Sequence, residues 1–474
     1  ASDVYKRQDV GGKLMTVPNL FSLANVEPAS GKRDQGYLRT RNVAFFASAE
    51  LGWKNMLYLS ATGRCDWASQ LVSNGDTPCI FYPSIGLSGI ISEMVKLPEF
   101  ISYLKLRTSY TEVGSPITQT GITPGTVTDP MSGGVINPIS TYPYPDFKPE
   151  RTKSYEVGIN ARFLNGRISF DGTFYQSNTY NQTFLSVMSP ATGYSGFYVQ
   201  AGNVRNRGVE MTLGYNDTFG KVNYSTHLTY TANQNKIVEM VHDYRNPIDN
   251  SLVNITELTL KEVGDVYLRE GYSMSDVFTT GILQRGRDGK LVEEGNGYQV
   301  DRSQRIRLGS ADPDFTMGWR HDINYKNISL GLMITGRFGG IVTSQTQAFM
   351  DAFGVSKVSA EARDNGGVML DGHRYDAERY YNTVGGQGLM SYYTYDATNV
   401  RLQELSLTYS LPKKWLGDVF NNATISFVGR NLFMFYRKAP FDPDMNGSTG
   451  TYNRSDFFMA PSLRNLGFSI KFSL

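Results

Sequence analysis

The chain has 474 residues with a net charge of +2, and its mean hydropathy is −0.33. No basic stripe runs along it, which argues against a nucleic-acid partner, and no stretch reaches the roughly 18 apolar residues of a membrane-spanning helix. Aromatic residues make up 13% of the chain and charged residues only 19%. This composition fits a large soluble β-protein or a membrane β-barrel, because both are rich in Tyr and Phe.

Apolar and polar residues alternate with a period of two over much of the chain, which predicts β-strands. The alternation begins at residues 42–53 and resumes at residues 56–65, after the tight turn Lys54-Asn55. Residues 155–163 precede Asn165-Gly166, a dipeptide that strongly favours a hairpin. Further alternating segments cover residues 168–175, 209–215, 222–230, 315–325, 328–338, 402–411, 423–433 and 463–474.

The connections between the predicted strands alternate in length. Short turns lie near residues 54, 165, 217 and 326, and two compact connections lie at residues 93–102 and 412–421. Long loops lie between them, at residues 114–151, 178–202, 235–255, 286–313, 340–398 and 436–461. A soluble sandwich has no reason to place every long loop at one end. The alternation is typical of an outer-membrane barrel with short periplasmic turns and long extracellular loops.

The predicted fold is therefore an all-β, antiparallel transmembrane β-barrel. We count about 15 strands of roughly ten residues, the length that a tilted strand needs to cross a bilayer. They would form the C-terminal part of a barrel of about 22 strands. The chain has no initial Met and no signal peptide, so we expect a fragment. Residues 1–40 are expected to be an extracellular loop remnant, with the first eight non-native, and residues 41–474 the barrel.

Several segments resemble the SusC/RagA family of TonB-dependent transporters, in order along most of the chain. They are FYPSIG at residues 81–86, YLKLRTSY at 103–110, KPERTKSYEVG at 148–158, NVRNRGVE at 203–210, NVRLQELSL at 399–407, GRNL at 429–432, DPD at 442–444 and the terminal FSL. The chain departs from the family pattern at its last residue, Leu474, where an aromatic residue is more usual.

The resemblance implies a cell-outer-membrane protein that imports a nutrient, an oligosaccharide before a peptide. It also implies an N-terminal domain, a TonB box and a plug, none of which is visible in this sequence. The implied partners are TonB, outer-membrane lipid and a SusD-like surface lipoprotein that closes over the barrel. A passive porin or adhesin barrel is one alternative function. A soluble β-rich glycan-binding protein or hydrolase is another.

No catalytic constellation is present, so an enzyme is not expected. The four histidines have no metal-ligand spacing, and His227 and His321 are expected to face the barrel lumen. Arg205 and Arg207 are expected to line it as well, because barrel interiors are polar.

Two weaker signals concern cysteines and carboxylates. Cys65 and Cys79 flank a short polar stretch, so they could form a disulfide or remain two packed thiols. Asp442, Asp444 and Asn446 match the first half of a Ca²⁺ loop. The twelfth position is Asn453 in place of the usual Glu and no helices flank the stretch, so a simple Pro/Gly/Asn loop is favoured and no other cofactor is expected.

Aromatic residues on the long loops are the candidate ligand contacts, because an apolar ring with a hydroxyl suits carbohydrate or peptide. The alternative is that each ring packs its own loop or belongs to the upper aromatic girdle. The candidates are Tyr142, Tyr144, Tyr194, Phe197, Tyr198, Tyr392 and Tyr393, with Tyr380, Tyr381 and Tyr395 beside them.

Overall fold

A computed structural model of the protein describes residues 2–11, 13, 19, 25, 27, 32–69, 79–115, 126–129, 135–138, 141–142, 148–187, 191, 193–245, 251–260, 267–416, 420–444 and 455–473. Within these ranges, no helix is long and apolar enough to cross a bilayer.

One antiparallel sheet of 15 strands dominates the structure, and its strands pair in chain order. Its main path runs through β1 (Ser2–Gly11), β2 (Lys32–Trp53), β3 (Leu57–Ala68), β4 (Ile80–Ile90), β5 (Ile101–Ser115), β6 (Glu150–Phe163), β7 (Ile168–Val187), β8 (Gly196–Phe219), β9 (Val222–Glu239), β10 (Phe315–Tyr325), β11 (Ile328–Phe338), β12 (Asn399–Ser410), β13 (Asn422–Arg437) and β14 (Asn465–Ser473). Thr141–Tyr142 joins this path in parallel with β8. The predicted all-β antiparallel fold is confirmed.

The two faces of the main sheet differ in chemistry. On the apolar face, side chains such as Phe45 (70% exposed) and Phe468 (68% exposed) are not covered by other parts of the chain. Arg107, Asp171 and Arg320 occupy the opposite, polar face. Uncovered apolar surface of this extent requires an apolar medium. The apolar face also includes Val43, Leu51, Leu59, Ile85, Leu87, Leu106, Val157, Phe174, Leu213, Trp319, Leu407, Phe427, Ile470 and Phe472.

Several strands are longer than their alternation predicted, and β1 was not predicted. The predicted loop 178–202 is wrong over most of its length, because β7 and β8 stay paired as far as Val187 and Gly196. The apolar alternation stops near residue 178, whereas backbone hydrogen bonding does not need it to continue. At the other end, β1 pairs with residues 32–41 of β2, which were expected to be loop.

The long connections contain ordered structure of their own. The β9–β10 segment (residues 240–314) includes the predicted loop 286–313 and most of the predicted loop 235–255, whose first five residues belong to β9. None of the strands described in the segment joins the main sheet. Its strands are Val241–Arg245, Leu252–Ile255, Glu257–Thr259, Tyr267–Arg269, Asp276–Leu283, Glu293–Glu294, Gly297–Tyr298 and Val300–Ser310.

The β11–β12 segment (residues 339–398) was predicted as loop and contains helices. They are α2 (Gln345–Ala352), α3 (Lys357–Asp364) and α4 (Ala377–Val384), following the one-turn α1 (Ile91–Met94) after β4. The 3₁₀ turns are Met390–Tyr392 and Lys413–Trp415, and the remaining short strands are Thr126–Asp129, Val135–Pro138, Ile341–Ser344, Val368–Leu370, His373–Tyr375, Thr394–Asp396 and Ser455–Asp456. Ser344, Ser356 and Asp376 cap α2, α3 and α4 by accepting backbone N–H bonds.

Candidate functional site

The polar face is cross-linked by charged side chains on neighbouring strands. Arg107 on β5 donates two hydrogen bonds to Asp171 on β7, at 2.8 and 3.1 Å. Asn160, on β6 between them, donates a third at 2.7 Å. Such bidentate pairs hold the two planar groups in a fixed orientation. The wall of the sheet is therefore both charged and rigid at this point.

A groove of about 520 Å³ lies on the polar face beside this pair. Its lining includes the acidic Glu50 and Glu156, the basic Lys105 and Arg107, and Tyr58. Charges of both signs with hydroxyl groups suit a hydrated channel or a polar protein surface. Lys105 and Arg107 take alternate positions in the family-like segment YLKLRTSY at residues 103–110, so both side chains lie on the same face of β5.

A second charged centre ties β12 to the chain after β13. The buried guanidinium of Arg401 lies 2.9 Å from Asp442 and 2.6 Å from Asp444. Asn399 and Asn431 accept its remaining hydrogen bonds, and the Ser462 hydroxyl donates to Asp442. Burial alone raises the pKa of Asp442, but the bonds from Ser462, the Asp444 amide and Arg401 outweigh it and the pKa lies below its usual value.

This geometry argues against the weak Ca²⁺ prediction. Asp442 and Asp444 are neutralised by an arginine and therefore do not need a metal ion, while Asn446 lies outside the described residues. Among the residues that are described, no group of three or more His, Cys, Asp or Glu side chains could hold a metal ion.

Most of the candidate loop aromatics in the β11–β12 segment form a hydrophobic core. Tyr380, Tyr381 and Tyr393 are buried together with Leu389 and Val384. Burial raises the pKa of Tyr380 and of Tyr393, so both phenols stay neutral. The prediction that Tyr393 contacts ligand is corrected, because this residue is only 3% exposed.

Tyr392 and Tyr395 are partly buried against the same core. The Tyr392 hydroxyl accepts a hydrogen bond from the Leu283 amide at 3.3 Å, which joins the β11–β12 segment to the β9–β10 segment. Both rings therefore have structural partners already.

The candidate aromatics near the start of β8, and those before β6, divide differently. Phe197 packs against a second core around Val199 and Ile237. Tyr194 and Tyr198 are half-buried, and Tyr198 alternates with Phe197 and so takes the opposite side of β8. For Tyr142 the structure describes the backbone alone, paired with Phe197. Tyr144 lies outside the described residues.

The structure joins Cys65 and Cys79 as a disulfide, with Cα atoms 5.6 Å apart. Cys65 stands opposite Phe45 and Phe81 in the strand register, on the apolar face at the end of β3 away from the tight turn. The bond would close the connection between β3 and β4 at its base.

Two predictions about the polar face are wrong. His321 lies on the apolar face, where its Nδ1 is 2.8 Å from the Tyr224 hydroxyl and its ring packs on Trp319. Arg205 and Arg207 lie on the same face of β8 as Val209, further from the turn that joins β8 to β9 and outside the apolar part of that face. His227 does lie on the polar face, opposite Gly214 and Arg320. The alternation of side chains along a strand decides which face each residue takes. Side-chain polarity alone predicted the wrong face for the two arginines.

Comparison with known proteins agrees with this architecture. Residues 5–335 match the family described as "TonB dependent receptor-like, beta-barrel". The chain is 25% identical to TonB-dependent receptor P3 of Formosa agariphila over 96% of this chain and 48% of that protein. It is 23% identical to TonB-dependent receptor SusC of Bacteroides thetaiotaomicron, over 94% of this chain and 45% of that protein.

Solved structures show the same fold. The structure described as the RagAB peptide transporter superposes with a TM-score of 0.75 at 16% identity, over 99% of this chain and 52% of that one. The RagAB peptide importer in its "open-open" state gives a TM-score of 0.74 at 18% identity, over 100% of this chain and 52% of that one. The chain thus spans about half the length of these relatives. It belongs to the TonB-dependent receptors, a family of outer-membrane barrels rather than enzymes, and is similar to the SusC/RagA type.

Proposed function

We propose that this chain forms part of the barrel of an active importer, which takes up a nutrient across the outer membrane with energy delivered by TonB. The observation that carries the proposal is the contrast between an uncovered apolar face and a rigid, charged polar face. In a TonB-dependent receptor the apolar face meets lipid and the polar face surrounds the transport path. The charges beside Arg107 would then contact a plug or a hydrated solute.

The proposed cargo is a hydrophilic oligomer, with an oligosaccharide as the first candidate. Tyr194 and Tyr198 are half-buried predicted contacts, and a tyrosine ring can stack on a sugar. A peptide is the second candidate, favoured by the likeness to RagAB, whose description names peptide.

The proposed partner is a SusD-like surface lipoprotein. The extracellular segments carry an exposed apolar patch in which Phe353 is 77% and Val355 72% exposed. Phe349 packs against Phe457 and Phe458 beside them, with ring centroids 6.0 and 5.8 Å apart. A patch of this kind on an otherwise polar surface marks a protein contact. The double variant F353D/V355D would lose the partner in co-purification, whereas the polar exchange K357Q would keep it.

Uptake by cells that carry the full-length protein tests the transport proposal. Uptake of labelled oligosaccharides should stop when an uncoupler removes the proton gradient or when TonB is deleted. A passive porin or adhesin would be indifferent to both treatments, and that result would reject active import. Labelled peptides in parallel assays decide between the two cargoes.

Ligand binding to the purified protein tests the aromatic contacts. Tyr198→Ala should weaken binding about tenfold, since an aromatic stacking contact contributes about 0.5–1.5 kcal/mol beyond the buried area. The control Tyr393→Phe keeps a buried ring and should bind normally. Equal binding by Tyr198→Ala and the native protein would remove Tyr198 from the site.

A further inference from the structure

The apolar face of β6–β9 becomes basic in two steps along the strands. Three successive rows of cross-strand neighbours show this change, because the register is continuous across the four strands. The rows are Val157, Phe174, Val209 and Ala232; then Tyr155, Gln176, Arg207 and Gln234; then Lys153, Asn178, Arg205 and Lys236. The first row is apolar, the second begins with a tyrosine, and the third holds three cations.

The height of these rows matches the boundary of the bilayer. From Phe219 at the periplasmic turn to Val209, β8 rises about 25 Å at about 3.3 Å per residue and a tilt of about 40°. That rise equals the roughly 25 Å height of the apolar band of an outer-membrane barrel. Arg205 therefore lies about 10 Å above the band. At that level the outward surface of a barrel meets lipid headgroups.

A groove of about 520 Å³ lies at this level, lined by Arg205, Lys236 and Arg269 and by a single carboxylate, Glu270. Glu270 is already engaged, since His242 Nε2 lies 2.9 Å away and the Met240 amide donates to it at 3.3 Å. The three cations thus outnumber the available negative charge.

The side chains around the groove support binding of an anion. The Nε of Arg205 is buried and has no hydrogen-bond partner among the described residues. Arg269 lies over the Tyr272 ring at 5.6 Å, which holds its guanidinium in place. In the neighbouring second row, the Arg207 side chain is held in place by donating a hydrogen bond to Gln234 at 2.8 Å.

We propose that this basic groove binds the phosphate group of an outer-leaflet lipid. Guanidinium groups recognise phosphate through paired N–H bonds, and a lysine adds a point charge. Clusters of Lys and Arg next to a membrane are a known basis for recognising anionic headgroups. The groove opens away from the polar face, so the inference is independent of the cargo and of the import proposal. The lipid would anchor the β9–β10 segment, which supplies Arg269, to the wall formed by β8 and β9.

Lipid binding to the full-length protein in nanodiscs tests this inference. The probe is phosphatidylglycerol as a minor component of phosphatidylcholine, and native mass spectrometry reads the lipids that remain bound. The triple variant R205Q/K236Q/R269Q should lower the enrichment of phosphatidylglycerol at least about tenfold, because each basic residue near an anionic surface contributes about 1 kcal/mol.

A matched control removes three cations at the other end of the strands. Lys54, Lys221 and Lys326 lie at tight turns, and K54Q/K221Q/K326Q should retain the enrichment. The charge-conserving variant R205K/R269K should retain more of the enrichment than the triple variant, because it keeps the point charges but loses the paired N–H bonds. Its normal folding would show that the positions tolerate exchange.

Two results would overturn the inference. The first is equal enrichment by the native protein and the R205Q/K236Q/R269Q variant. The second is binding of inorganic phosphate that matches the lipid in affinity and displaces it fully, because the site would then serve a free anion. High salt should weaken the proposed binding, since the groove is open to solvent.

Discussion

The main sheet and the extracellular segments use the same residue types in opposite ways. In the sheet, large apolar side chains such as Phe45 and Phe468 are exposed, and charged pairs such as Arg107–Asp171 lie on the inside. In the β9–β10 and β11–β12 segments, apolar and aromatic side chains are buried in a shared core that includes Leu283 and Tyr393. The surrounding medium explains the difference, because lipid solvates the outer face of the sheet and water solvates the segments.

The contrast matters for function because rigid segments above the wall can hold contacts in fixed positions. The shared core joins two segments that are distant in sequence, and the Tyr392 hydroxyl bonds the Leu283 amide across them. The Arg401 centre then fixes the chain after β13 to β12. The two segments thus form a folded structure with its own interior.

The largest expected effect comes from breaking the Arg401 centre. Arg401→Ala would leave the buried carboxylate of Asp442 without its guanidinium, a change that costs about 3–5 kcal/mol. The pKa of Asp442 should rise, because the lowering effect of Arg401 is lost while burial and the bonds from Ser462 and the Asp444 amide remain. Thermal unfolding of the detergent-solubilised protein measures the loss, and hydrogen exchange at residues 438–444 shows where it occurs.

The control for this variant is Arg430→Ala. Arg430 pairs with Glu404 at 3.0 Å but its side chain is 64% exposed, so the change should cost less than about 1 kcal/mol. The stability of the native protein should also depend on pH. The lowered pKa of Asp442 stabilises the native protein above the usual carboxyl pKa, and this contribution is lost as pH falls through the lowered pKa. Equal losses for Arg401→Ala and Arg430→Ala would contradict the role of the buried centre.

A smaller effect should separate the two faces of the sheet. Leu213 lies on the apolar face, and Leu213→Arg should cost about 2–4 kcal/mol near the middle of the bilayer. Thr212 is the next residue along β8 and stands opposite Asp171 on the polar face, so Thr212→Arg should be tolerated. Denaturant unfolding in lipid vesicles compares the two. The face assignment would be wrong if Thr212→Arg were the more damaging.

The sequence predicted the sheet well because the physical requirement there is local. Period-two alternation and tight turns at Lys54 and Asn165 are each contained within a few residues, and the structure places strands on both sides of each turn. The SusC/RagA resemblance then supplied the barrel type. The strand ends beyond the apolar band, such as residues 178–187 of β7, were missed because alternation is no longer required once neither face meets the hydrocarbon core of the bilayer.

The candidate site was harder to predict because the residues that form it are distant in sequence. Nothing local distinguishes the buried Tyr393 from the half-buried Tyr198, since burial depends on packing against the β9–β10 segment. The partner of Asp442 is Arg401, and their pairing requires the register of β12 and β13. From the sequence alone, Asp442 and Asp444 suggested a metal-binding loop. In the structure, the guanidinium of Arg401 takes the place of a metal ion beside them.

The smallest effect concerns the exposed part of the extracellular segments. His242 in the β9–β10 segment forms a hydrogen bond with Glu270, and this bond raises the pKa of His242 above the usual 6.5. Glu270→Gln should therefore bring the pKa of His242 down, as measured by NMR titration of the imidazole. Glu239→Gln removes a more distant charge and should lower it less. The His242–Glu270 pair stabilises the native protein fully below the usual pKa and loses that contribution as pH rises through the raised one. An unchanged pKa in Glu270→Gln would show that the segment does not hold this pair in solution, and that its order is confined to the buried core.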